Sequence, residues 1–191
     1  STEDEISLGL KSAPQMAQEY GGLHPDQEAQ ALVDQVGYKL VNSSVARQTP
    51  YHYEFHLLRD PQTVNAFALP GGQVFITAGL FSRLNTEDQL AGVLGHEIGH
   101  VVGRHSAERI AKQNLTQGIL TGVLTGTDKG GAQMAAMVAN IVNMKYGRED
   151  ELESDSYGVK YMYEAGYDPE AMIDVMRILK EASGGGNQPE F

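Results

Sequence analysis

The sequence predicts a mainly helical α+β domain with a small three-stranded antiparallel sheet beside a buried helix. Three observations carry this expectation. Residues 51–58 alternate strictly along the chain, and two short β-rich runs follow around Pro70-Gly71-Gly72. Elsewhere apolar residues recur with helical spacing, and the breaks fall at Gly and Pro. The 191 residues, 41% of them hydrophobic and 20% charged, have the size and composition of one folded domain with a real core.

Residues 3–46 read as two helices split by Tyr20-Gly21-Gly22, the second opening at His24-Pro25-Asp26, where proline suits a first helical turn. The following strand sets Tyr51, Tyr53, Phe55 and Leu57 on one side and His52, Glu54, His56 and Leu58 on the other, as a half-buried strand does. Thr63–Leu69 and Gln73–Thr77 make two more strands around the Pro70-Gly71-Gly72 turn. After Gly79 the chain reads as helical, with breaks near Gly126–Gly131, at Tyr146-Gly147 and at Gly166-Tyr167-Asp168-Pro169. Residues 1–182 are expected to form the domain, and 183–191 a flexible Gly-rich tail.

Composition excludes several classes. There is no cysteine, so disulfide scaffolds and thiolate metal sites are ruled out. The formal charge is −11, with no Lys/Arg run to meet a nucleic acid or an anionic membrane. No apolar stretch reaches the length of a transmembrane segment. The opening Ser1-Thr2-Glu3-Asp4-Glu5 is acidic and unlike a signal peptide, which is compatible with a mature or truncated product whose leader has been removed.

Thr86-Glu87-Asp88-Gln89 has the form of a capping box and starts a helix read as running to about His105. Between Asp88 and Arg104 its only ionisable residues are His96, Glu97 and His100, so the helix is apolar all round and must be buried. Leu90, Leu94, Ile98 and Val101 form a core stripe, while Gly92, Gly95, Gly99 and Gly103 line another face, where a second backbone is expected to pack closely. His96-Glu97-Ile98-Gly99-His100 is an H-E-x-x-H arrangement. Histidines at i and i+4 bring two imidazoles to one tetrahedral cation, and the intervening Glu reaches the water that the cation activates. Two core histidines bonded to backbone carbonyls are the plain alternative, but three buried ionisable groups without a compensating cation would be costly.

A catalytic zinc site takes a third protein ligand. His105 would lie about 180° from His96 on one continuous helix and so face away, as a surface or second-contact residue. His52, Glu54 and His56 are roughly 7 Å apart along a strand face, too far for one ion. The run Arg148–Asp155 opens a helix whose angles place Leu152, Ser156, Val159 and Tyr163 on an inward seam. Glu149, Glu153, Lys160 and Glu164 fall on a charged flank, and Glu151 and Asp155 share the opposite flank with Gly158 and Met162. Glu151 is therefore the expected third ligand, and Asp155 the partner that orients a ligand histidine.

These motifs resemble those of the gluzincin peptidases of the HtpX and CAAX prenyl protease type, and most of all their soluble bacterial cell-envelope members, the BepA-like proteins. The likeness rests on Asn65–Gly72 with its following strand, His96–His105, Arg148–Asp155 and Glu164–Pro169. It implies a gluzincin-type domain holding one Zn²⁺ per chain on His96, His100 and Glu151. It also implies a periplasmic or cell-envelope location, with cell-envelope proteins as partners. Such relatives continue past the Gly-rich tail into a segment bearing a further histidine near the zinc, and some carry a helical-repeat domain after it.

The function expected is zinc-dependent hydrolysis of peptide bonds in a polypeptide substrate, with Glu97 as general base. The strand Gln73–Thr77 is expected to accept the substrate by edge pairing, which makes Asn65, Gln73 and Phe75 the candidate substrate-binding residues. The alternative is a zinc-binding chaperone or assembly factor whose peptidase site is plugged, the plug being Leu115–Met144 with Met134, Met137 and Met144.

Overall fold

The structure is a computed structural model that describes residues 1–117, 136–140, 142–143 and 145–184, with the main chain alone over 114–117. Two helices come first, α1 (Thr2–Glu19) and α2 (Gln27–Asn42). Ser1 and Asp4 close a capping box on α1, and Asp26 caps α2 through the amides of Glu28 and Ala29. A 3₁₀ turn, Val45–Gln48, leads to strands β1 (Glu54–Leu58), β2 (Ala66–Ala68) and β3 (Gln73–Thr77). The short helix α3 (Ala78–Phe81) precedes α4 (Glu87–Val102), α5 (His105–Gln117), α6 (Arg148–Glu164) and α7 (Ala171–Ala182). Most of the expected plug segment, residues 118–135 with 141 and 144, lies outside the described residues, as does the tail from 185.

The sheet is mixed, not antiparallel throughout. Its order is β1-β3-β2, with β2 antiparallel and β1 parallel to β3. The Pro70-Gly71-Gly72 hairpin is as expected, with the Leu69 amide donating to Gln73 O at 2.8 Å. The parallel pair arises because the chain crosses the end of β3 before β2 begins. Asp60 organises that crossing by accepting from the amides of Gln62 and Thr63, and Thr77 Oγ1 donates to Thr63 O at 2.5 Å. Strand β3 is thus central and paired on both sides, so it cannot accept a substrate strand.

Gln73 is buried with its side-chain oxygen 2.7 Å from His56 Nε2, and Phe75 is stacked between His56 and Phe67. Both are packing residues, which corrects their expected place in substrate binding. The sheet separates two cores. One face meets α2 and α4 through a core that includes Phe55, Leu57, Val74 and Ile76, and α6 and α7 pack on α4 within the same core. The other buries Leu58, Phe67, Leu69 and Phe75 against Met16 of α1 and against Val138 and Ala139.

Helix α4 runs through the main core, and every residue from Gln89 to Val101 is buried. The expected close approach on its glycine face is present, with α6 as the neighbour. A methyl on Gly95 would stand 3.2 Å from Gly158 O, and one on Gly158 would stand 2.9 Å from the His96 amide nitrogen.

This approach reverses the expected seam of α6. Leu152 is 56% and Tyr163 75% exposed, and Ser156 and Val159 also face outward. The buried stripe is Ser154, Gly158, Tyr161, Met162 and Ala165, with Glu151 and Asp155 at its leading edge. Apolar counting fails here because the contact is made between backbones and needs small residues rather than large ones. Gly158→Ala is therefore expected to destabilise the domain by about 1–3 kcal/mol through overpacking. Tyr163→Gln is expected to change stability by no more than about 0.5 kcal/mol. Thermal or denaturant unfolding of both variants checks the assignment, which a larger loss from the Tyr163 change would overturn.

Candidate metal centre

The crossing of α4 and α6 brings four functional side chains together. His96 and His100 lie one turn apart on α4 and are both buried, with their Nε2 atoms 3.0 Å apart. Glu151, in the first turn of α6, places Oε2 3.3 Å from His96 Nε2 and Oε1 3.2 Å from His100 Nε2. Asp155, one turn on, holds Oδ1 2.7 Å from His96 Nδ1.

This donor set fits a metal ion. In a tetrahedral centre with bonds of about 2.1 Å, neighbouring ligand atoms stand about 3.4 Å apart, close to all three separations seen here. The chemistry agrees. With the Nδ1 proton of His96 given to Asp155, its Nε2 presents a lone pair to a pocket that holds another imidazole nitrogen and a carboxylate. Among the described residues, His96, His100 and Glu151 are the one group of three such side chains with ligand atoms within 4.8 Å of one another. His52, Glu54 and His56 form no such group.

Electrostatics in the metal-free pocket follow from burial. Glu97 is 2% exposed, and burial pushes its carboxyl up to about 8, with the Glu151 charge adding to the rise. Burial disfavours the cation on His100, whose pKa is pushed down to about 4. Burial also opposes charge on His96, but Asp155 and Glu151 together outweigh it and push the pKa up to about 9. For Glu151, burial is likewise outweighed, by the hydrogen bonds and charge of the two histidines, and the carboxyl is held down at about 2. One imidazolium thus balances Glu151 where a cation would otherwise sit.

The structure corrects the expected place of His105. Helix α4 ends at Val102, and Arg104 turns the chain with φ of +58°. His105 therefore opens a new helix and points back, its Nδ1 2.8 Å from Nδ1 of His100. The sequence signal was Gly103, a common kind of residue just past a helix end. Tyr146 stacks on the His100 ring at 4.1 Å, with the Arg109 guanidinium 4.0 Å from the Tyr146 ring centre. Its hydroxyl meets Ser106 Oγ, and burial raises its pKa to about 12, so it remains protonated. Asn65 sits at the start of β2 with its side-chain nitrogen 3.5 Å from Tyr20 Oη, turned toward α1.

Residues 27–190 match the model of Peptidase family M48. The chain belongs to that family. It is 36% identical to the mitochondrial metalloendopeptidase OMA1 of Schizosaccharomyces pombe over 142 residues, which cover 74% of this chain and 42% of the relative. It is 31% identical to the beta-barrel assembly-enhancing protease of Escherichia coli over 170 residues, 83% of this chain and 34% of the relative. The matched region thus spans well under half the length of either relative. The fold described above is an M48 metallopeptidase domain, and among its described residues no helix is long and apolar enough to cross a membrane.

Metal uptake by this M48 domain is expected to release protons. At pH 7 His96, with a pKa of about 9, carries a proton that a ligand nitrogen must lose, and Glu97, at about 8, is also largely protonated. Calorimetric titration with zinc in buffers of different ionisation enthalpy is expected to show at least about one proton released per ion. Release of none would overturn this protonation scheme.

Proposed function

We propose that this domain is a zinc-dependent metalloendopeptidase that hydrolyses peptide bonds in extended polypeptides. We further propose that it serves protein quality control in the periplasm or cell envelope of a bacterium, with envelope proteins as partners. The observation that carries the reading is the convergence of His96 Nε2, His100 Nε2 and the Glu151 carboxylate next to the buried Glu97. Two imidazoles and one carboxylate, with a fourth position open, are a donor set suited to catalytic zinc. The location and role are supported by the likeness to a protease named for β-barrel assembly.

When bound, the cation polarises the scissile carbonyl and makes water a stronger acid. The chain's own residues supply the rest. Glu97 takes a proton from the attacking water and passes it to the leaving amine, a role suited to a carboxyl whose pKa burial has raised toward neutrality. Asp155 holds the His96 ring and keeps its proton on Nδ1. Tyr146 covers one face of His100 and keeps water from it.

An extended substrate is best accommodated on the outer edge of β2. Asn65 and Leu69 direct their peptide groups to β3, so those of Ala66 and Ala68 point away from it. The far edge of the sheet is already capped, since the Gln30 side chain pairs with Phe55 O and the Leu57 amide of β1. Ala66 and Ala68 are both buried, and Ser106 Oγ already donates to Ala68 O at 3.4 Å, which are the observations in favour of the alternative, a chaperone or assembly factor with a covered peptidase site.

One set of variants separates the two. Glu97→Gln is expected to retain zinc while casein hydrolysis falls by about 10²–10⁴-fold. Glu151→Ala is expected to lose both zinc and activity, and Glu149→Ala, on the exposed flank, to lose neither. Stoichiometric zinc without Glu97-dependent cleavage would overturn the peptidase reading and favour the alternative.

A further inference from the structure

The two imidazoles of the centre are held by different means. His96 has a carboxylate against its Nδ1, whereas the partner of His100 Nδ1 is a third imidazole, that of His105. His105 is 4% exposed, and three elements fix its ring. The turn before α5 brings it back toward α4, and Gly103 lies against it so closely that a Cβ there would stand 2.6 Å from its Nε2. From α6, Ser154 Oγ lies 3.2 Å from its Nδ1. On the other side of the ring, Asp150 Oδ1 and Glu153 Oε1 stand 3.8 and 3.7 Å from its Nε2.

Proton accounting then sets the direction of each bond. An imidazole that offers Nε2 to a cation carries its proton on Nδ1, so His100 donates from Nδ1. A neutral imidazole has one donor and one acceptor nitrogen, so His105 accepts at Nδ1 and carries its own proton on Nε2, facing the two carboxylates. Ser154 Oγ packs beside that same Nδ1, whose single lone pair is taken by the shorter bond from His100. A neutral acceptor also adds no further anion to a pocket that already contains Glu97, Glu151 and Asp155.

We propose that His105 is a positioning residue of the metal centre, fixing the ring and tautomer of His100 as Asp155 fixes those of His96. The proposal rests on the reading of His96, His100 and Glu151 as the ligand set. It explains why α4 must end at Val102: a continued helix would carry His105 away from His100.

The test is zinc affinity by chelator competition on the whole chain, with thermal melts of the metal-free protein run in parallel. His105→Leu fills the space without an acceptor and is expected to weaken zinc binding by about 10–100-fold. In His105→Asn the side-chain oxygen takes the place of Nδ1, and affinity is expected to return to within about threefold of the parent. His105→Gln puts its polar group at the Nε2 end and is expected to stay weak, so the Asn and Gln pair decides the matter even if the Leu variant fails to fold. Parental affinity in a folded Leu or Gln variant would overturn the proposal. So would an Asn variant that melts like the parent yet binds zinc as weakly as Gln. The ligand set fails separately, if His100→Ala or Glu151→Ala binds zinc like the parent.

Discussion

The approach of α4 and α6 at Gly95 and Gly158 is the contact on which the rest of the centre depends. Two histidines on one helix supply only part of the candidate ligand set, and the Glu151 carboxylate, with Asp155 that holds His96, comes from a helix that starts about 50 residues later in the chain, so no helical spacing can deliver them. They arrive because two glycines let the backbones meet, with Gly158 lying over the His96 peptide. Ligand distances at a metal tolerate only about 0.2 Å of error. A side chain wedged into this crossing would move Glu151 and Asp155 away from both histidines at once. Glycine in a helix interior costs roughly 1 kcal/mol relative to alanine, which is the penalty this geometry accepts on both helices.

The same crossing creates an electrostatic problem that only charge compensation solves. Burial raises Glu97 and lowers His100, each toward its neutral form, while Glu151 stays ionised because His96 is held as its cation. The metal-free pocket is thus balanced by protons. A divalent ion held by His96, His100 and Glu151 would supply the same positive charge and would favour neutral imidazoles and ionised glutamates, the state that the base role proposed for Glu97 requires. Metal binding and ionisation of Glu97 would then be linked, since the same positive charge would favour both.

Much of the centre was legible in the sequence because its chemistry follows helical angles. His96, Glu97 and His100 declare themselves by spacing, and Glu151 was separated from Glu149 and Glu153 by the flank on which each falls. The seam of α6 was misread for a physical reason. Leu152, Val159 and Tyr163 look like a core stripe, yet the true inner face is Ser154 and Gly158, because a backbone contact excludes large side chains. Strand order was equally hidden, since alternation reports which face a residue takes and not which edge the strand occupies. His105, expected to face away as a surface or second-contact residue, faces His100 because one residue in the left-handed region, Arg104, splits the expected continuous helix into two.

That turn is also where the first helix reaches the centre. Helix α1 precedes the stretch matched to the M48 model, but it is built into the domain: Met16 packs with Leu58, Phe67 and Phe75 behind the sheet. Nearer its start, the buried Glu5 carboxylate accepts from Tyr51 Oη at 2.9 Å and from Arg104 Nε at 3.0 Å. A buried carboxylate is tolerable only when paired, and here its partner is the very residue whose φ of +58° redirects the chain toward His105. Arg104 occupies a conformation that few residues other than glycine adopt, and the Glu5 contact holds its side chain in place there. The path from α1 to the metal position is therefore short: Glu5 fixes Arg104, Arg104 sets the turn, and the turn delivers His105 to His100.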